Sequence, residues 1–128
     1  MTNLERILDC LEELSSNREH QLALWNGEIE GVQASFTEAV CGLFDDAGLT
    51  RMLDSGELDR TYSKALCLKA RRLGALTHKI DDHRISDEEI LNLPQMNSLR
   101  ETAGELLALF ISESNYQAPD APLSDKSR

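Results

Sequence analysis

The 128 residues carry 23 acidic and 13 basic side chains, a formal net charge of −10 and a pI of about 4.6, so the average surface repels nucleic acid and anionic membranes. A hydrophobic content of 41% suffices for one domain without disulfide or metal staples, and with only 5% aromatic residues the core must come mainly from leucine, which favours helices over sheets. No apolar run approaches the ~20 residues that span a bilayer, and the N-terminus lacks the basic and apolar regions of a signal peptide, so a cytoplasmic location is expected.

Thr2 and Glu5 form a T-x-x-E capping box that starts a first helix. Leu4, Ile7, Leu8, Leu11 and Leu14 follow the spacing of one helical face, and the stripe resumes at Leu22 and Trp25 beyond the polar stretch 15–21. Asn26-Gly27 tolerates the left-handed conformation that ends helices; it either closes an antiparallel hairpin or kinks one long helix. A second amphipathic helix is predicted over 28–44, with Ile29, Val32, Phe36, Val40, Leu43 and Phe44 on one side and Asp45-Asp46-Ala47-Gly48 as its stop.

Leu49, Met52 and Leu53 make a connector turn before the Ser55-Gly56 break. A third long helix is predicted from about Glu57 to His83, with Leu58, Tyr62, Leu66, Leu73, Leu76 and Ile80 forming its stripe and Gly74 marking a tight crossing. Ser86 and Glu89 form a second capping box, and Pro94 restarts the helix with Leu99, Ala103, Leu106, Leu107 and Phe110 facing inward. Residues 114–128 hold two of the three prolines and few large apolar groups, and are expected to form a flexible tail. The fold class is therefore all-α: an antiparallel bundle of about four main helices with a short connector over 1–113, followed by that tail.

Charge is distributed in blocks. Residues 1–59 carry 13 acidic and 3 basic side chains, 60–84 carry 2 acidic and 7 basic, and 85–128 carry 8 acidic and 3 basic. A basic helix thus sits in an acidic protein, where it faces an acidic partner or the protein's own acidic helices.

Three groups of residues could carry chemistry. His78, Asp82 and His83 are weak metal candidates, since positions 78 and 82 share a helix face; the chain has no E-x-x-H pair of the kind that dicarboxylate-metal bundles use. Cys67 lies among Lys64, Lys69, Arg71 and Arg72, which would lower the pKa of an exposed thiol. Isolated cysteines in leucine-rich helices are mostly inert packing, and Cys10, Cys41 and Cys67 are expected to be reduced thiols. No phosphate loop or nucleophile motif is present, so no cofactor is expected and the chain reads as a binding protein rather than an enzyme.

The apolar surplus points to binding. Leu68 on the third predicted helix and Leu107, Leu109 and Ile111 on the last exceed one stripe, which implies a groove or a dimer seam. Leu66, Leu73, Leu106 and Phe110 are the expected partner-binding residues, with Arg71 and Arg72 setting the orientation of an amphipathic partner helix. A small helical enzyme or metal-binding protein using His78, Asp82 and His83, or a homo-oligomeric structural module, is the alternative.

The segment LERILDCLEELSSNREHQLALWNGEIEGVQASFTEAVCGLF resembles the small, acidic, helical flagellar and type III export chaperones of the FlgN and FliT kind. The resemblance implies leucine-rich antiparallel helices, an apolar helical surface that holds an export substrate, and a mobile C-terminal part.

Overall fold

The computed structural model describes residues 2–25, 35–81 and 86–114. Eight α-helices and one π turn occur among them, with no strand: α1 (Asn3–Ser15), α2 (Arg18–Trp25), α3 (Phe36–Cys41), the π turn (Gly42–Asp46), α4 (Leu49–Asp54), α5 (Glu57–Thr61), α6 (Lys64–Asp81), α7 (Asp87–Leu91) and α8 (Gln95–Ser114). The all-α fold is shown, in more and shorter pieces than periodicity predicts. Residues 115–128 of the expected flexible tail, the Asn26-Gly27 stop, residues 28–34 of the second predicted helix, and Asp82 and His83 lie outside the described residues, while Ser114, expected in the tail, ends α8.

Helix α8 organises the molecule. It packs against α1 on one side and α6 on the other, while α3 and the π turn close over α1 and α4 packs on the π turn. The interior is leucine-built, with Leu11, Leu14, Leu43, Leu58, Leu66, Leu73, Leu99 and Leu106 fully buried. Burying one such side chain contributes about 1.5–3 kcal/mol. Two edge-to-face ring pairs, Trp25 with Phe36 and Tyr62 with Phe110, join segments distant in sequence.

Both capping boxes form. The Glu5 N–H donates to Thr2 Oγ1 at 3.1 Å while Thr2 N–H donates to Glu5 Oε1 at 2.9 Å, and Ser86 with Glu89 repeats the arrangement at 3.2 and 3.1 Å. Helix α8 restarts directly after Pro94, as its missing N–H requires.

Two predicted helices are broken. The first stops at Ser16, which is extended, and Asn17 Oδ1 caps α2 by accepting from the His20 N–H at 2.8 Å. Buried Gln21 fills the break: its side-chain amide donates to the Glu13 and Leu14 carbonyls, each at 3.0 Å, and accepts from Arg100 Nε of α8 at 2.9 Å. Carbonyls that the end of α1 leaves without helical partners are thereby satisfied. The long third helix breaks at Tyr62, which is extended with φ −124° and ψ 171°. Ser63 Oγ then caps α6 by accepting from the Leu66 N–H at 3.2 Å, and Glu113 of α8 accepts from both the backbone N–H and the hydroxyl of Ser63.

The second predicted helix also ends differently. Ser35 is an extended N-cap, and beyond Cys41 the winding widens until the Ala47 N–H bonds to the Gly42 carbonyl, five residues back, at 2.8 Å. Gly42 lies so close to α1 that a Cβ there would meet Cys10 Sγ at 3.3 Å. Gly48 follows with φ 82°, a left-handed turn that suits glycine, and α4 begins.

Candidate functional site

The π turn, α4 and α6 enclose an open groove of about 650 Å³. Val40 and Phe44 from the first wall, Leu53 from α4, and Ala70 with Gly74 from α6 provide its apolar lining. Val40, Phe44 and Leu53 are each only half-buried, although they pack against the core. Gly74 widens the cleft: a Cβ at that position would lie 3.6 Å from the Phe44 ring.

The rim is polar. Asp45 and Asp54 stand on the π-turn and α4 side, Arg71 and His78 on the α6 side, and all four are exposed. The Arg71 guanidinium is committed to Asp59 of α5 at 3.1 Å. That bond, with further help from the Cys67 thiol, holds the Asp59 carboxyl below the usual carboxylate range. The two ion pairs among the described residues are Arg71–Asp59 and Lys69–Glu105, so neither Asp45 nor Asp54 has an ion-pair partner among them.

One of the three thiols borders the groove. Cys41 is exposed and lines the cleft. Burial, reinforced by Glu13 and Asp9, pushes the Cys10 thiol up to about 11. Burial and the neighbouring Asp59 raise the Cys67 thiol as well. Cys67 is fully buried, so the exposed thiol whose pKa its basic neighbours would lower is not present, and burial first and Asp59 second outweigh Arg71.

Leu66, Leu73, Leu106 and Phe110 do come together, but as the interior between α6 and α8: each is 0% exposed. In this conformation none offers surface to a partner, which corrects their expected place in a groove. The spacing of an apolar stripe is the same whether the stripe meets its own fold or another chain.

Arg71 reaches the groove, whereas exposed Arg72 borders a separate shallow depression with Ala65, Leu68 and Lys69. Part of the basic helix therefore serves the protein's own carboxylates, through Arg71–Asp59 and through Lys69–Glu105 at 2.6 Å. His78 lies on the groove rim, and the described residues contain no group of three His, Cys, Asp or Glu side chains arranged to hold a metal. None of their helices is long and apolar enough to cross a membrane.

Phe44, Val40 and Leu53 are the site residues that sequence reasoning passed over. It placed Val40 and Phe44 on a helical stripe and Leu53 in a connector turn, and the widened winding after Cys41 that sets Phe44 at the groove was not read from the sequence. No protein-family model, no curated protein and no solved structure matches the chain.

Proposed function

We propose that this protein is a small helical adaptor, chaperone or regulator of the cytoplasm that holds a segment of a partner protein in the groove between the π turn, α4 and α6. The observation that carries this reading is the groove itself: an open cleft of about 650 Å³ lined by the half-buried apolar side chains Val40, Phe44 and Leu53. A cleft with an apolar floor and charged rims suits an amphipathic helix, whose apolar residues enter while its polar face stays wet. The export chaperones that the first third of the chain resembles are understood to hold substrates on an apolar helical surface, and the proposal has the same form.

A photo-crosslinker attached to Cys41 in native extract tests this reading. A partner crosslinked to the wild type should be lost from Thr50→Trp, which fills the cleft from its exposed rim, and reduced at least fivefold with Phe44→Ala. Circular dichroism establishes that both variants are folded. Identical crosslinking in all three proteins would remove the groove from consideration.

A second reading, self-association, rests on Leu68 and Ile111, which are 55% and 42% exposed. Sedimentation over a wide concentration range decides it, since a strict monomer excludes a homo-oligomeric module.

A further inference from the structure

The groove's charge, combined with its shape, specifies the chemistry of its occupant. Of the four charged or titratable groups on the rim, Arg71 already has Asp59 as its counterion, at 3.1 Å. Asp45 and Asp54 are exposed, flank the apolar strip from the π turn and α4, and belong to neither ion pair of the described residues. The α6 wall belongs to the basic block, 7 basic against 2 acidic side chains over residues 60–84, but of these only Arg71 and His78 line the groove, and Arg71 is held by Asp59. The π-turn and α4 side of the mouth is therefore negatively charged beside an apolar floor. Complementary charge at such a rim governs which partner is captured and how quickly, and unlike a closed interior this cleft still has an open face where a ligand can enter.

Resting on the functional reading above, we propose that the groove binds a basic amphipathic helix, with apolar side chains seated on Val40, Phe44 and Leu53 and flanking lysine or arginine residues paired with Asp45 and Asp54. The apolar contact supplies most of the affinity. The carboxylates select the partner by charge, and they reject an acidic helix with the same apolar face.

Three fluorescent helical peptides test the proposal, sharing one leucine face and differing only in whether the opposite face carries lysine, glutamine or glutamate. Anisotropy titrations are made with the full-length protein, with Asp45→Asn/Asp54→Asn, with the surface control Glu88→Gln/Glu101→Gln, and with the filled-groove variant Thr50→Trp. The lysine peptide should saturate at one per chain and bind about tenfold more tightly than the glutamine peptide at low salt, with the glutamate peptide weakest. That preference should vanish in the Asp45/Asp54 variant and survive in the surface control, while Thr50→Trp weakens every peptide. Equal binding of the three peptides, or equal loss in the two charge variants, overturns the charge selection and leaves the groove intact as a protein-binding site. Binding that Thr50→Trp leaves unchanged overturns both the selection and the groove.

Discussion

Gln21 is the residue on which the break between α1 and α2 depends. Its side chain is fully buried and makes hydrogen bonds to two α1 carbonyls and to Arg100. Replacing it with leucine leaves two carbonyls and a guanidinium nitrogen without these bonds, which should cost about 2–4 kcal/mol in urea unfolding. A Gln21→Leu protein as stable as wild type would show that water takes over all three bonds. Cys10 supplies a pH prediction. Its folded-state thiol is raised, to about 11, so folding disfavours the thiolate; stability from this group is full below the ordinary thiol value and is lost as pH rises towards 11. The alkaline decline in denaturation midpoint should therefore be shallower in Cys10→Ala than in wild type. Asp59 has the opposite sign: Arg71 lowers it, so its contribution is present at neutral pH and is lost as pH falls through the folded value. Asp59→Asn should flatten the acid limb of the same curve.

Among the helices, starts were more legible than stops. Thr2 with Glu5 and Ser86 with Glu89 are local signals, complete within four residues, and both boxes form. The breaks at Ser16 and Tyr62 were not legible, because the groups that complete them lie far away in sequence: Arg100 for Gln21 and Glu113 for Ser63. The candidate groove was hidden for a related reason, since half-buried Phe44 and buried Leu43 both suit the apolar stripe of one predicted helix. Gly74 tests the helix-level account. Its added Cβ meets the Phe44 ring at an ordinary 3.6 Å, so Gly74→Ala should stabilise α6 by about 0.5–1 kcal/mol through helix propensity. A fall in thermal midpoint would mean that the cleft is closer packed there than the backbone indicates.

For the whole molecule, the placement of Leu66, Leu73, Leu106 and Phe110 at 0% exposure changes what their substitution reports. Phe110→Ala should cost about 3–5 kcal/mol in global stability, measured by denaturant unfolding, and any loss of binding would follow from that. A Phe110→Ala protein that unfolds at the wild-type midpoint would return this residue to the list of contact residues. The arrangement around α8 has one more consequence, concerning how the chain comes to be folded at all. Gln21 and Arg100 are 79 positions apart, and the first and last helices of the described bundle complete the same interior. Most all-helical domains gain speed from contacts between neighbours along the chain, whereas this one must close a long loop before its centre exists. A chain stopped before α8 lacks the element that packs against both α1 and α6, and leaves part of each apolar face uncovered.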